Sequence, residues 1–213
     1  KSDEPKYIAI AFDTPEPTFR HQIYDKYKAN RDAPPEDLIP QFGLIHEFVE
    51  ALNIPILKTG GYEADDLIAT LCQKSLDEEQ SVSIISGDKD FMQLVCDNVT
   101  LYDPMKEKTY HRDDVFEYFG VYPEYVLDVL ALAGDSSDNI PGVPKIGRKS
   151  AAKLISEFGH IPDIVNGLKN RDKLKAYEQS LLENTQLADL SHRLASLNTN
   201  APAAGGMAFD RVP

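Results

Sequence analysis

Cysteine is scarce in this chain, and its scarcity excludes a disulfide-stabilised fold. The 213 residues contain only Cys72 and Cys96, which are too few for a disulfide framework or, alone, for a zinc site. Cys72 lies in an apolar helical pattern, and Cys96 follows a Leu-Val pair. We therefore expect two buried thiols in a reducing compartment.

Long apolar runs and leader sequences are also lacking. No run approaches the roughly 20 residues that a membrane-spanning helix needs, and residues 1–6 are too polar for a signal peptide. The sequence thus predicts a soluble intracellular protein with no membrane association. The five histidines show no ligand spacing, and neither a Ser-His-Asp arrangement nor a phosphate-binding P-loop is visible.

Basic residues are outnumbered by acids. Lys and Arg number 22 against 35 Asp and Glu, so the formal net charge is −13. This balance argues against a protein that coats nucleic acid through a basic surface. Eight acids in four short segments nevertheless account for more than half of the excess. Bound cations would offset these acids, so the net charge is weak evidence against a DNA substrate.

Those eight acids are the most informative feature of the chain, because they occur where strands and helices are expected to begin or end. Carboxylates are good ligands of hard divalent cations such as Mg²⁺ and Mn²⁺, and they would repel one another without cations between them. Two-metal hydrolysis of phosphodiesters uses such an acidic cup, so the sequence predicts a metal-dependent nuclease. The eight acids are Asp13, Glu63, Asp65, Asp66, Asp88, Asp90, Asp135 and Asp138.

Alternating strand and helix patterns explain why these acids should meet. They predict an α/β fold with a mostly parallel central sheet flanked by helices, and ligands of such sheets bind beyond the carboxyl ends of the strands. Asp13 and Asp88 fall at or just after such ends, and Glu63 follows one through a Gly-Gly turn. The predicted strands are residues 7–12, 54–57, 81–86 and 99–102.

The pattern becomes helical after about residue 112. We expect an α/β core over residues 1–112, with an exposed and mobile stretch over residues 14–31, and a helical region over 113–197. Residues 198–213 have the composition of a linker or tail. The helices predicted in the second half are residues 113–119, 123–133, 149–158, 161–168 and 178–197.

A nucleic-acid signal follows Asp138, within about residues 138–157. A Gly-x-x-x-x-Gly hairpin is followed there by a basic helix, and such a helix–hairpin–helix offers backbone N–H groups and a helix N-terminus to a phosphate without reading bases. The alternative is a helical hairpin with an ordinary solvated basic face. The candidate DNA-binding residues are Gly142, Lys145, Gly147, Arg148, Lys149 and Lys153.

Structural roles compete with the functional ones at the other motifs. A single acid near Glu63 would suffice to cap a helix, but three acids occur there within four residues. One acid of the Asp88 and Asp90 pair would suit an ordinary turn, whereas two around a lysine fit a metal loop better.

The basic and aromatic stretch before residue 35 also has two interpretations. Arg20, Lys28 and Arg31 could hold a phosphate, and Tyr24 or Tyr27 could stack on a displaced base. The same residues could equally form a charged surface helix with a tyrosine in a core contact.

Together these motifs resemble the 5′-nuclease domain of bacterial DNA polymerase I, in the flap-endonuclease superfamily. The resemblance covers nearly the whole chain, and its segment at residues 134–143 is highly specific. It implies a structure-specific nuclease of DNA replication and repair, acting on 5′ flaps, nicks and 5′ ends of DNA and on RNA primers. The other matching segments are residues 11–13, 18–20, 27–31, 62–66 and 86–90.

The resemblance also implies site roles. Two Mg²⁺ ions, for which Mn²⁺ would substitute, are expected to drive an in-line displacement, and K⁺ is expected at the hairpin. The first metal is assigned to Asp13, Glu63, Asp65, Asp66, Asp88 and Asp90, and the second to Asp135 and Asp138, with Asp88 or Asp90 near both. A helical arch is expected at about residues 14–35, and its catalytic residues are expected to be Arg20, Tyr27, Lys28 and Arg31.

The sequence departs from the family pattern at its start. The family begins further upstream, with a strand whose Asp-Gly pair supplies another metal-site Asp. We therefore expect a fragment of a longer chain, with a polymerase domain in the same native chain, acting as a monomer in the bacterial cytoplasm at the nucleoid. A noncatalytic DNA-structure-binding module and a PIN-type ribonuclease remain the alternatives.

Overall fold

The structure is a computed structural model that describes residues 5–202. The strands found there are β1 (Ile10–Ala11), β2 (Ile56–Leu57), β3 (Val82–Ile85), β4 (Val99–Asp103) and β5 (Lys108–Tyr110). The helices are α1 (Phe19–Ile23), α2 (Ile39–Ala51), α3 (Ala64–Asp77), α4 (Arg112–Phe119), α5 (Val126–Ala133), α6 (Arg148–Phe158), α7 (Ile161–Lys169), α8 (Ala176–Glu183) and α9 (Thr185–Ala195). Two 3₁₀ segments span Lys89–Leu94 and Pro123–Tyr125.

The strands form two small sheets. β1 and β2 are parallel, with Ile10 opposite Ile56, while β4 lies between the parallel β3 and the antiparallel β5. The predicted α/β class followed by a helical region is confirmed, but the strands of residues 5–202 form two separate ladders instead of one central sheet. The sequence pattern missed β5, because three residues are too few to show a period.

The main hydrophobic core lies between the three-stranded sheet and the helical second half. α5 is mostly buried and packs against α6 and α9. A smaller cluster joins Leu57 of β2 to Leu67 of α3. The helix α3 packs against both β1 and β3, and the N–H of Ala64 in its first turn contacts Asp13, which follows β1.

Two stretches differ from the sequence predictions. The segment at residues 14–31 was expected to be exposed, but Thr18, Arg20 and Tyr27 are buried. The single helix predicted over 178–197 is broken at Asn184, whose side chain donates to the carbonyl of Ser180 at 2.8 Å. Asparagine competes for backbone partners in this way and disfavours the helix interior.

The predicted linker and the surface of α2 also differ from a simple sequence reading. Residues 198–202 pack on α3, where Ala201 is buried and its N–H donates to Thr70 Oγ1 at 3.0 Å; residues 203–213 of the predicted tail lie outside the described residues. The helix α2 buries only Val49, and its Phe42 and Phe48 are exposed. No helix between residues 5 and 202 has the length and apolar character to cross a membrane.

Candidate functional site

The first turn of α3 positions one group of acids. Glu63 is the N-cap residue in an extended conformation, and its own N–H donates to Asp66 Oδ2 at 3.1 Å. Asp13, just after β1, accepts from the N–H of Ala64 at 2.7 Å. The positive end of the helix dipole favours carboxylates here, so Asp65 is held beside the end of β1.

The loop after β3 supplies a second pair. Asp88 caps the following 3₁₀ segment, because its Oδ1 accepts from the N–H of Asp90 at 2.9 Å. The N–H of Asp88 in turn donates to Ser86 Oγ at 3.1 Å. These local hydrogen bonds hold the Asp88 carboxylate in the loop that follows β3.

The loop after α5 supplies the third pair, and glycine makes its shape attainable. Asp135 and Ile140 exchange two backbone hydrogen bonds, of 3.0 and 2.8 Å. Gly134 and Gly142 both have positive φ, and a Cβ on Gly142 would lie 2.4 Å from the nitrogen of Gly134. The backbone segments at Gly134 and Gly142 can approach so closely only because neither residue has a side chain. Asp135 and Asp138 lie in the loop that this contact closes.

These three elements bring acids together around a small pocket, whose lining includes Glu63, Asp65, Asp90 and Asp138. Burial, with a further contribution from the charge of Asp88, raises the pKa of Asp65 to about 7. Glu63 and Asp13 add to this rise. The charges of Asp88, Glu63 and Asp13 act on Asp65 because carboxylates in a common site disfavour each other's ionisation.

Asp90 lies in the neighbouring half of the same cluster. Burial raises its pKa to about 6, against the opposing charge of Lys89. The carboxylates that add to the rise are Asp88, Asp135 and Asp138. Asp88 therefore lies close to both Asp65 and Asp90, which gives it the shared position between the two halves of the cluster.

Basic side chains from the segment after α1 lie against these acids. Lys28 Nζ contacts Glu63 Oε1 at 2.7 Å and Asp138 Oδ2 at 3.6 Å. Arg31 pairs with Asp138 Oδ1 at 2.5 Å and keeps half of its side chain exposed. The backbone is tied to the same loop, because the N–H of Lys28 donates to the carbonyl of Asp138 at 2.9 Å.

Tyr27 is part of this contact. Its hydroxyl donates to Glu63 Oε2 at 3.0 Å and contacts Asp138 Oδ2 at 3.3 Å. Burial and the charge of Glu63 raise the pKa of Tyr27 well above its ordinary value, so the phenol stays protonated and remains a donor. Its ring is buried in the main core, which is the core-contact alternative that the sequence left open.

Arg20 and Asp66 occupy positions different from those expected. Both are fully buried, and the guanidinium binds the carboxylate through two hydrogen bonds of 2.8 Å. Arg20 also donates to the carbonyls of Leu194 and Ser196, at 2.9 and 2.7 Å. The geometry therefore gives this pair a positioning role behind the acids, in place of contact with a DNA strand or a metal.

Lys89 is a contact that the sequence reasoning missed. It forms an ion pair with Asp135, and its Nζ lies 3.6 Å from Asp90 Oδ1. Burial opposes ionisation of Asp135, but hydrogen bonds from Lys89 and Ser137 hold the pKa of that carboxyl below its ordinary value. The sequence feature that could have indicated this contact is the position of Lys89 directly between Asp88 and Asp90.

The donor set fits a divalent cation. All candidate ligands are carboxylate oxygens, and Asp90 Oδ1 is buried without a hydrogen-bond partner in the described structure. The side chains do not form a closed cage, since no three His, Cys, Asp or Glu of residues 5–202 are arranged to hold a metal ion. Lys28, Arg31 and Lys89 lie among these carboxylates instead.

The helix–hairpin–helix forms a separate surface at the start of α6. Gly142 is buried, whereas Lys145, Gly147, Lys149 and Lys153 are exposed. The ion pairs found within residues 5–202 include none of these three lysines.

Arg148 differs from these neighbours. It donates to the carbonyl of Tyr118 at 2.8 Å and lies 4.6 Å from the ring centres of Tyr118 and Phe119. Its guanidinium therefore packs against the end of α4.

Two family profiles account for nearly the whole chain. The 5′-3′ exonuclease N-terminal resolvase-like domain matches residues 1–120, and the 5′-3′ exonuclease C-terminal SAM fold matches residues 121–209. The chain belongs to the 5′-3′ exonuclease family. The two matches meet just after α4, so the first contains both sheets and the second contains the helix–hairpin–helix.

Curated members of this family differ in length. The chain is 46% identical over 198 residues to DNA polymerase I of Rhizobium leguminosarum, covering 93% of this chain and 19% of that protein. It is 37% identical over 201 residues to a 5′-3′ exonuclease of Aquifex aeolicus, covering 94% and 68%. The chain thus spans about a fifth of the length of the DNA polymerase I relatives that it matches first.

Several solved structures have the same fold as this chain. The T5 5′-exonuclease with bound divalent zinc ions has a TM-score of 0.77 at 28% identity, covering 90% of this chain and 74% of that chain. A T5 D15 flap endonuclease in complex with DNA and metal ions has the same TM-score and coverage. The catalytic core of Rad2 with a DNA substrate shares the fold alone, with a TM-score of 0.57 at 19% identity over 94% of this chain and 67% of that one.

Proposed function

We propose that this chain is the nuclease part of a structure-specific 5′ nuclease, hydrolysing DNA phosphodiesters at 5′ flaps, nicks and 5′ ends and removing RNA primers. The observation that carries the proposal is the convergence of acids from separate elements of the chain, with Lys28 and Arg31 beside them. The T5 structure of a flap endonuclease with DNA and metal ions supports the substrate and the reaction.

The chain's residues divide into two groups of cation ligands. Asp13, Asp65 and Asp88 would hold one Mg²⁺, and Asp90, Asp135 and Asp138 would hold the other, with Mn²⁺ as a substitute. When bound, such cations supply a nucleophilic hydroxide at neutral pH and stabilise the leaving oxygen. Glu63 supports this arrangement mainly by holding the basic segment, because it accepts from Tyr27 and Lys28.

Lys28 and Arg31 are suited to hold the scissile phosphate. Both side chains contact Asp138 from one side of the cluster. When a phosphate enters there, Lys28 and Arg31 would exchange this carboxylate partner for a phosphate oxygen. Cationic groups that meet developing charge on a phosphate lower the barrier to its displacement. We expect products with a 5′-phosphate and a 3′-hydroxyl.

The start of α6 would grip the duplex beyond the cleavage point. Its exposed N-terminus, together with Lys145, Lys149 and Lys153, matches phosphate binding without base reading. The K⁺ expected at the hairpin of residues 142–147 stays a prediction. Four further expectations also stay predictions: a polymerase domain in the same native chain, a monomeric state, a role in replication and repair, and a bacterial cytoplasmic location at the nucleoid.

Cleavage of a labelled 5′-flap DNA by the 213-residue chain tests the proposal. We expect cuts near the flap junction with Mg²⁺ or Mn²⁺ and none with EDTA, and loss of cutting in Asp88→Asn and Asp138→Asn. Asp97→Asn is the matched control, because Asp97 is exposed in the turn before β4. Wild-type rates in both site variants would overturn the ligand assignment.

Two further results would favour the alternatives. Flap binding without cutting at any cation concentration would favour a noncatalytic DNA-structure-binding module. Faster cutting of single-stranded RNA than of the flap would favour a ribonuclease.

A further inference from the structure

Lys89 lies between two of the candidate cation ligands in the sequence. It follows Asp88 and precedes Asp90 at the start of the 3₁₀ segment Lys89–Leu94. Its side chain crosses to a different element, where it pairs with Asp135 in the loop after α5. One ammonium group therefore joins the loop after β3 to the loop after α5.

The ammonium group occupies a place between two acids. It forms an ion pair with Asp135 and lies 3.6 Å from Asp90 Oδ1. That oxygen is buried and has no hydrogen-bond partner in the described part of the chain. At that distance it offsets the charge of Asp90 without satisfying its oxygen, since a hydrogen bond requires a closer approach.

We propose that Lys89 is a tethered counter-ion, which holds Asp135 in place while no divalent cation is bound and competes with that cation for the Asp135 carboxylate. The inference rests on the proposed function, because it assigns Asp135 and Asp90 to a cation. A lysine suits this role, since its point charge sits on a flexible four-carbon stem. About a third of the side chain is exposed, so it can rotate toward solvent while the backbone stays in place.

A counter-ion and a purely structural bridge predict opposite effects on cation affinity when Lys89 is removed. A bridge that only orders the loop would make cation binding weaker when it is removed, because Asp135 would lose its position. A competing counter-ion would make cation binding tighter when it is removed. Its removal would also destabilise the cation-free protein, because Asp90 and Asp135 would face each other without a positive charge.

Titration with Mn²⁺ in the absence of DNA, following free Mn²⁺ by electron paramagnetic resonance, separates these cases. For Lys89→Met in the 213-residue chain we expect about tenfold tighter binding, the effect of losing one charge-assisted contact. We also expect a lower unfolding temperature in EDTA that Mn²⁺ restores. Lys89→Gln, which removes the charge with less change in shape, should shift affinity in the same direction, and Lys89→Arg should stay near the wild type.

Lys106→Met is the matched control, because Lys106 forms a similar pair with Asp103 between β4 and β5. It should lower stability equally with and without Mn²⁺ and leave the affinity unchanged. Equal or weaker Mn²⁺ binding by both neutral Lys89 variants, in a protein that still cuts the flap, would overturn the counter-ion role and leave the nuclease standing. Absence of both Mn²⁺ binding and cutting in the wild type and all variants would instead overturn the proposed function, and this inference with it.

Discussion

Arg20 is the side chain near the site whose donors are most fully used. Its guanidinium binds Asp66 and Glu63, and it also donates to two carbonyls at the end of α9. The Asp66 carboxylate accepts as well from the N–H of Asn198 at 2.9 Å. One buried ion pair thus joins α1, α3 and the segment after α9, and it fixes the base from which Glu63 and Asp65 project.

Arg20→Ala should therefore destabilise the protein strongly. Removing one partner leaves Asp66 buried without its counter-charge, which costs about 3–5 kcal/mol in the free energy of unfolding. Urea denaturation measures this loss. Arg193→Ala is the control, since Arg193 is exposed on α9 and should change stability by less than about 0.5 kcal/mol. A loss below about 1 kcal/mol for Arg20→Ala would mean that the pair does not hold these elements together.

The loop after α5 is the element whose shape depends most on glycine. Gly134 has φ of 73°, and Gly142 has φ of 62° with backbone atoms where a side chain would begin. The loop holds Asp135 and Asp138 through two backbone hydrogen bonds between Asp135 and Ile140. Its acids can face the other elements only while this conformation is kept.

Gly142→Ala should cost about 1–3 kcal/mol, because the new Cβ meets backbone in a left-handed conformation. It should also reduce flap cutting more than Asp97→Asn does, since both acids of the loop would shift. Gly43→Ala provides a control of opposite sign. Gly43 lies inside α2 with open space around it, so alanine there should add about 1 kcal/mol. Thermal unfolding of both variants checks the two signs, and a neutral Gly142→Ala would contradict the account.

The exposed lysines of α6 should contribute to duplex binding through charge alone. Each phosphate contact contributes about 0.9 to the slope of log affinity against log salt concentration. The double change Lys149→Ala and Lys153→Ala should therefore lower the steepness of that slope by about 2. Fluorescence anisotropy of a flap duplex over a KCl series measures it.

A control for this change is available near the opposite end of the same helix. Lys173 is exposed close to Arg171, which packs against Phe158 at the end of α6. Lys173→Ala should leave the slope unchanged. An equal loss of slope in the control would show that the general charge of the protein, and not the start of α6, governs binding.

At the scale of the whole molecule, an acidic chain with a net charge of −13 concentrates like charges at one place. The folded state raises the pKa of Asp65 to about 7 and of Asp90 to about 6, against an ordinary value of 3.8. Both groups bind protons more tightly in the folded state than in the unfolded one. Their contribution to stability is therefore complete below 3.8 and is lost as the pH rises toward about 7.

Without divalent cations, the free energy of unfolding should thus fall as the pH rises from 4.5 to 8, a window covered by these two shifts. Urea denaturation in EDTA at several pH values measures the fall. Asp65→Asn should reduce it and should raise stability at pH 8, because one charge is removed from the cluster. Added Mg²⁺ should stabilise the wild type most at the alkaline end, and a flat profile in EDTA would contradict the convergence of these acids.

Local pattern predicted much of this protein correctly, for reasons visible in single elements. The helical second half and the strand at residues 81–86 follow from periodicity and apolar runs, which depend on near neighbours. Glycine and aspartate mark the same turns in the sequence and in the structure, because few residues suit those backbone shapes. The sequence alone therefore placed the acids at the ends of elements and gave reason to expect a metal-dependent nuclease.

Only the tertiary structure decided which charged groups face each other. Arg20 and Lys28 are both basic residues in one short stretch, yet one is buried behind Asp66 and the other lies beside Asp138. Lys89 faces Asp135 across 46 positions of sequence, and no local period records such a pair. Burial and counter-charges arise from contacts between distant elements, and these contacts determine which carboxylates are already neutralised and which remain for a cation.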